Sequence, residues 1–364
     1  MDFALSEERR MLTDTLTRFV REEYPLNTRH AAAGMEGGFD PAMWTRFAEL
    51  GAIGALLPPE AGGFGGEGED LTVTFEALGR GLVVEPFLST GVLGAGALID
   101  AGHDELIEAA INGEAQIALA HTETDSRYEM TRVSCAVAGG KISGAKTVVL
   151  NGGSADWFIV SARSGGEIDD VEGLSLWLVD AKDPGVSVRP YATVDGGAAA
   201  NVGFDGAAGQ VLPGGYDRLE TIMARGVVAL CAEALGAMEV CKEVTLEYLQ
   251  TRKQFGVPLG KFQALSHRFV QVCIAIEQAR SITMLAADSL SANRRSREMA
   301  VSAAKHLISR VARLVSEETI QMHGGIAMTW EYSAPHFAKR LTMIEHVLGD
   351  EDFHLARFVE LGAD

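Results

Sequence analysis

Apolar residues change their spacing twice along the chain. Leu5, Met11, Leu12, Leu16, Phe19 and Val20 recur at helical intervals behind Ser6, a residue suited to an N-cap, so a helix is expected over Leu5–Glu23. Pro41–Leu50 (closed by Gly51), Asp70–Arg80, Gly91–Asp100 and Glu105–Asn112 continue the helical pattern. Pro58–Gly66 reads as a loop by composition, and no Lys or Ser/Thr follows it at P-loop spacing. At Ala115 the pattern shortens. Gln116–Ala120, Val133–Val137, Lys146–Leu150, Trp157–Ser161, Leu174–Val179, Gly185–Val188 and Ala198–Phe204 are brief β-rich runs between Gly or Asp turns. After Pro213-Gly-Gly215 helical spacing returns. Val227–Tyr248 reads as one helix, broken at Phe255-Gly256 and Pro258, and a new one starts near Gln263. Apolar recurrence then covers Phe269–Leu290, Met299–Met322 and Phe337–Leu348. The fold expected is α+β and multidomain: an N-terminal helical domain (1–114), a central β-barrel or sandwich (115–212) and a C-terminal four-helix-bundle domain (213–364) with four or five helices.

Composition is that of a globular protein, 47% hydrophobic and 22% charged. The formal net charge of −19 argues against nucleic acid or an anionic membrane as partner, though a local basic pocket can still hold an anion. The longest apolar run, Gly226–Met238 with Glu233 inside it, is too short to span a bilayer. Asp2, Glu7 and Glu8 stand where a signal peptide would be basic and then apolar. Cys135, Cys231, Cys241 and Cys273 have no metal-ligand spacing and read as buried thiols of a reducing cytoplasm.

Candidate chemistry gathers at the break after Tyr248. Arg252, Gln254 and Phe255 put a guanidinium, an amide and an aromatic ring at a helix end, a set suited to a phosphate-bearing ligand with a flat ring. A solvated turn with a core-facing Phe fits the same spacing.

The pattern Arg252-x-x-Phe255-Gly-x-Pro258-Leu-x-x-Phe262-Gln263, followed by Gln321-Met-His-Gly-Gly325 and Glu331-Tyr332, resembles the acyl-CoA dehydrogenase family. The likeness runs in family order from Phe3-Ala-Leu-Ser-Glu-Glu8 to Phe358. It implies that Arg252, Phe255, Gln263, Gln321, Gly324 and Gly325 hold the ADP half of an FAD seated in the neighbouring subunit, with Gln254 at another contact position.

Four departures from the family pattern shape the functional reading. The family's catalytic Glu falls on Leu348, counted from Glu331, and the alternative seat on the preceding helix falls on Gly226. The residues after the usual Glu, which would touch the subunit's own FAD, are Asp350-Glu351-Asp352, carboxylates that would repel a pyrophosphate or else form a solvated helix start. The flavin-binding loop reads Thr122-Glu-Thr-Asp-Ser-Arg-Tyr128, without the family's Pro and two Gly. The segment covering one flavin face is Val148-Val-Leu150, with no aromatic ring or hydroxyl, although Asn151-Gly152 and Ala155-Asp156 beside it match.

Residues that would grip a neighbour's FAD are thus kept, and those that would hold the chain's own FAD are missing. This resembles the smaller, base-less subunit of heterotetrameric acyl-CoA dehydrogenases of pimeloyl-CoA and steroid side-chain degradation, which also shares Leu82-Val-Val-Glu-Pro-Phe-Leu88 and Gly349-Asp350. The resemblance implies a complex of two large and two small subunits that oxidises an acyl-CoA to its 2,3-enoyl-CoA. FAD would be the cofactor, a larger subunit would carry the catalytic Glu, and an electron-transfer flavoprotein would accept the electrons. Two rivals stay open. One is a self-sufficient homo-oligomer with a base relocated to Glu233, Glu239 or Glu243, of which Glu243, like Glu247, is expected to face solvent. The other is a scaffold that binds no flavin.

Overall fold

The computed structural model describes residues 5–363, so Phe3 of the N-terminal motif lies outside the described residues. These residues divide into two compact units, 5–29, 71–83 and 227–363 in one, and 30–70 and 84–226 in the other. Helices occupy the N-terminal part of the chain, strands the middle and helices the C-terminal part, as the fold class expected.

The N-terminal elements are α1 (Glu7–Glu23), α2 (Leu26–Ala33), α3 (Pro41–Glu49), α4 (Gly68–Gly81), α5 (Ala95–Leu98) and α6 (Asp104–Ile111). Ser6 does cap α1, its hydroxyl accepting from the Arg9 amide at 3.3 Å. Helix α2 escaped the sequence reading because its Leu-Asn-Thr-Arg-His-Ala-Ala-Ala run carries no apolar stripe. Where one helix was expected over Gly91–Asp100, π-helical turns over Phe87–Gly94 pass into α5. The loop Pro58–Gly66 folds tightly on the turns before it. A Cβ at Gly63 would sit 2.1 Å from the Leu57 carbonyl oxygen, so that approach requires glycine. Arg225 clips the loop in place, donating to the carbonyls of Gly66 at 2.7 Å and Leu56 at 2.9 Å.

The strands are β1 (Ile117–Ala120), β2 (Ala136–Ala138), β3 (Lys141–Leu150), β4 (Trp157–Arg163), β5 (Leu174–Asp180), β6 (Val186–Ala192), β7 (Ala198–Ala208) and β8 (Gln210–Leu212). They form one mixed sheet in the order β6-β7-β3-β2-β4-β5-β8, with β1 parallel to β4. Strand β4 is buried along nearly its whole length, which explains its near-continuous apolar sequence. Strand β2 begins three residues later than the Val133–Val137 run suggested, at Ala136. The Ser134 and Cys135 amides, at 2.8 and 3.0 Å, donate to the Glu123 carboxylate instead of a ladder.

That carboxylate belongs to a buried polar cluster. Lys146 has 0% of its surface exposed, and its Nζ donates to Glu123 Oε1 at 2.7 Å, Ser161 Oγ at 2.9 Å and the His121 carbonyl at 3.1 Å. Burial alone would raise the Glu123 carboxyl, but the Lys146 charge overrides it and holds the group below the usual range. Burial, reinforced by Lys146, pushes His121 down to about 3.

Helix α7 (Gly215–Thr251) starts well before the expected Val227, so that residues 215–226 of it belong to the unit of the sheet and the rest to the other unit. By length and composition it could cross a bilayer, contrary to the expectation drawn from Gly226–Met238, but 83% of its most apolar window is buried inside the protein. A short hairpin of β9 (Lys253–Gln254) and β10 (Val257–Pro258) follows, then α8 (Gln263–Asp288), α9 (Arg294–His323), α10 (Ala334–His346) and α11 (Glu351–Ala363). Helices α4 and α7 touch backbone to backbone. A Cβ at Gly79 would lie 2.0 Å from the Glu233 carbonyl oxygen, and one at Gly236 2.0 Å from that of Glu76. Cys135, Cys231 and Cys241 are buried as expected, whereas Cys273 is partly exposed, because this chain leaves the outer face of α8 uncovered.

The Lys146–Glu123 pair sets a test of the sheet unit. Lys146→Met strands a buried carboxylate and should cost about 3–5 kcal/mol, much of which Glu123→Gln should restore in the double variant. Urea unfolding of the full chain measures both, and a single-variant loss below ~1 kcal/mol would show that the pair carries little.

Candidate functional site

The break after α7 is a two-stranded hairpin rather than an irregular turn. Lys253 and Gln254 pair with Pro258 and Val257, and Phe255-Gly256 form the tip with φ of 53° and 82°. Positive φ at both central residues is the type I′ geometry, which matches strand twist but disfavours a bulky side chain at the first position. Phe255 occupies it nonetheless and is 92% exposed, its ring 6.2 Å from Phe262 edge to face. The core-facing Phe that the spacing had left open is therefore excluded. An exposed aromatic ring held on a strained backbone suits a contact made outside the chain.

Arg252, Gln254, Gln263, Gln321, Gly324 and Gly325 are exposed as well. Arg252 enters no ion pair among the described residues, although the chain carries 50 Asp and Glu. The Leu259 amide donates to the Arg252 carbonyl at 2.9 Å, which brings Arg252 within one short turn of the start of α8. Phe262, the residue before that start, has no capping side chain, and its carbonyl takes the Leu265 amide at 3.0 Å, which leaves the Gln263 and Ala264 amides of α8 open to an acceptor. An exposed guanidinium without an ion pair and open amides at a helix start are each suited to a pyrophosphate. At the end of α9, Gly324 has φ 68° and ψ −142°, closed to other residues, and no heavy atom lies within 4 Å of a Cβ built at Gly324 or Gly325. The backbone there is open to a ligand.

An aromatic stack joins the motif segments. The His323 ring lies 4.6 Å from that of Tyr248, stacked at 30°, and 5.3 Å from that of Tyr332. All three residues stand within motifs legible in the sequence, but only tertiary structure shows that they meet.

Leu348 and Gly226 stand at the two positions where the resemblance would put a base. Leu348 has φ 57° and Gly349 φ 110°, so the turn keeps an unusual backbone without a carboxylate. Buried donors hold it. His354 Nε2 donates to the Leu348 carbonyl at 2.9 Å, and Lys305 Nζ donates to the carbonyls of Gly349 and, at 3.0 Å, Glu345. Asp350-Glu351-Asp352 is the start of α11. Asp350 caps it by accepting from the Phe353 amide at 2.9 Å, and Glu351 meets Arg313 at 2.8 Å.

The carboxylates proposed as relocated bases are all committed. Glu233 is bidentate to Arg340 at 2.5 and 2.7 Å, and Glu239 meets Arg280 at 2.8 Å and Lys242. Glu243, expected to face solvent, is bidentate to Arg80 at 2.9 Å while half exposed. Burial would raise Glu239, yet Lys242 and Arg280 hold it low, which weakens it as a base.

In the sheet unit, the loop at Thr122–Tyr128 turns Glu123 inward to Lys146. The strand register slips between Lys146 and Val149, and Val148 bulges outward with φ 51°, an outlier for a β-branched residue.

Family models for the acyl-CoA dehydrogenase N-terminal, middle and C-terminal domains match residues 6–115, 118–206 and 214–360. Acyl-CoA dehydrogenase IpdE2 of Mycolicibacterium smegmatis is 30% identical over 357 residues, 97% of this chain and 98% of that protein. A chain of the solved Tcur3481–Tcur3483 steroid ACAD is 27% identical with a TM-score of 0.90, covering 98% of both chains. A chain of the ChsE4–ChsE5 complex from Mycobacterium tuberculosis is 26% identical with a TM-score of 0.90, covering 100% of this chain and 99% of that one.

His354 gives the Leu348 turn a pH signature. Burial, then the nearby Lys305 charge, pushes its pKa from 6.5 to about 3. A depressed folded-state pKa contributes stability that is present above pH 6.5 and lost as pH falls toward 3, by about 1.4 kcal/mol per pH unit. His354→Gln keeps a donor for the Leu348 carbonyl and removes the titration. The stability difference between the two proteins should therefore change with that slope between pH 6.5 and 4 in denaturant melts, and a flat difference would rule out a buried neutral His354.

Proposed function

The chain belongs to the acyl-CoA dehydrogenase family, and we propose that within it the chain is the base-less subunit of a heterotetrameric, FAD-dependent oxidoreductase. One observation carries this reading. Arg252, Gln254, Phe255, Gln263, Gln321, Gly324 and Gly325 all face outward on one unit, while both positions for a base hold residues that cannot take a proton. Side chains that turn outward to hold a cofactor suit an FAD seated in a neighbouring subunit.

FAD, when bound, supplies the acceptor for the hydride that leaves the acyl β-carbon. Arg252 would donate to its pyrophosphate, Phe255 would pack near the adenine, and the open backbone at Gly324–Gly325 would admit the rest of the ADP half. The carboxylate that takes the α-proton would come from a larger partner subunit, and an electron-transfer flavoprotein would accept the electrons. The rival with a relocated base loses support, since Glu233, Glu239 and Glu243 are each held by a guanidinium. The scaffold rival is disfavoured by an unpaired Arg252 on so acidic a chain.

The apolar outer face of α8 supports assembly. Its most apolar window is only 33% buried, with Val270, Ile274, Met284 and Leu285 exposed. The steroid ACAD relative supports a steroid-derived acyl-CoA as substrate. Free and mostly buried thiols suit a reducing cytoplasm.

Stoichiometry tests the reading. Purified alone the chain should be colourless, and with its partner it should carry about two FAD per four chains, from absorbance against protein mass, as expected when one subunit of each pair contributes only contacts in trans. Four flavins per tetramer would sink it. Within the complex, Arg252→Ala removes a charge-assisted bond of roughly 1.5–3 kcal/mol and should weaken FAD binding ~10- to 100-fold. Arg252→Lys should recover part, keeping the charge without the planar fork. A merely structural turn predicts lower thermal stability and an unchanged FAD dissociation constant.

A further inference from the structure

We propose that His323 is a positioning residue that sets the spacing between the two halves of the cofactor grip, the Arg252 turn and the Gly324–Gly325 turn. The inference rests on the proposed reading of those residues as the grip. His323 is the last residue of α9, directly before Gly324, and its ring is buried, with 4% of its surface exposed. Its Nδ1 donates to the Thr319 carbonyl at 2.7 Å, one turn back on the same helix, which fixes both the rotamer and the tautomer. Nε2 is then a bare acceptor, and it is buried without a hydrogen-bond partner among the described residues. A buried acceptor left unpaired is a cost that folds rarely keep without reason.

The reason lies in what the ring touches. Tyr248 packs on it at 4.6 Å, nearly parallel, and Tyr332 at 5.3 Å, tilted by 58°. Tyr248 stands one turn before Arg252, and its carbonyl accepts the Arg252 amide at 2.8 Å. A single planar side chain therefore connects the end of α7, which carries the guanidinium, to the end of α9, which carries the open glycine backbone. The stack also reaches the Glu331-Tyr332 segment. Flat rings in contact fix separation and tilt together, which a flexible aliphatic contact does not. A phosphate clamp and a backbone cradle on separate helices hold one ligand well only if their spacing is set before it arrives.

The test is FAD titration into the apo form of the flavin-binding assembly as purified, with whichever subunit accompanies the chain. His323→Ala removes the ring that both tyrosines pack on, and should raise the FAD dissociation constant about 10-fold. His323→Phe, which keeps the ring and loses both nitrogens, should stay within about 3-fold of wild type. In an Arg252→Ala background the His323→Ala effect should shrink below about 3-fold, because one of the two halves it spaces is gone. A purely structural role would lower the melting temperature of both variants and give additive effects, which would overturn the proposal. So would an unchanged dissociation constant in His323→Ala while Arg252→Ala weakens binding. An unchanged constant in Arg252→Ala would overturn the grip itself, and this inference with it. Should His323→Ala fail to fold, His323→Gln takes its place: it keeps a polar donor but no ring, and FAD binding like that of wild type would refute the stack.

Discussion

Two glycines fix how the part of α7 from Val227 onward packs in its unit. At Gly79 and Gly236 the backbones of α4 and α7 approach until a Cβ on either would stand 2.0 Å from a carbonyl oxygen of the other. Such a crossing fixes the rotation of α7 about its axis, because no other residue fits at those two points. With the rotation fixed, the carboxylates of α7 meet guanidinium groups from three other helices: Arg80 on α4, Arg280 on α8 and Arg340 on α10. The same carboxylates are thereby withdrawn from acid–base chemistry. A general base needs a free lone pair, and guanidinium N–H donors already occupy oxygens of Glu233, Glu239 and Glu243.

Strain marks the places where the family's chemistry would sit. Phe255, Val148 and Leu348 all hold positive φ, and none is a residue that adopts it easily. Phe255 is strained on an open surface, which fits a contact made outside the chain. Leu348 differs, because its turn is held from inside by His354 and Lys305 through the carbonyls of Leu348, Gly349 and Glu345. The turn holds its positive-φ backbone with leucine at its first position. Preserving it keeps α10 and α11 joined, and Asp350 capping α11 gives the acidic run a structural use. Repulsion of a pyrophosphate is therefore not needed to explain those acids.

The sequence carried the order of helical and β segments because the apolar period changes at Ala115 and again after Pro213. It carried less where local pattern was weak or tertiary contacts decided. Helix α2 lacks an apolar stripe, and β2 starts late because Glu123 captures the amides that precede it. The hairpin at Phe255-Gly256 has only punctuation for a signal, since glycine and proline announce a break without saying what fills it. The residues proposed to hold the cofactor can be named from sequence because each motif is continuous along the chain. The contact of Tyr248, His323 and Tyr332 was not, because it joins residues far apart along the chain and depends on how three segments pack.

Charge limits how the proposed grip can work. A chain with a net charge of −19 repels an anionic cofactor at long range, so attraction must come from contacts shorter than the screening distance of about 8 Å at physiological salt. On the proposed reading, Arg252 and the open Gln263 and Ala264 amides at the start of α8 would supply such contacts. Short-range contacts depend steeply on geometry, so the surrounding fold must hold them in place before the cofactor arrives. The same dependence bears on the missing base. If one subunit of a pair supplies the proton acceptor, a second carboxylate in its neighbour would add buried charge without adding chemistry, whereas a displaced clamp would cost both subunits the cofactor. On the proposed reading, that asymmetry is why this chain holds its clamp rigidly and places leucine where the family has glutamate.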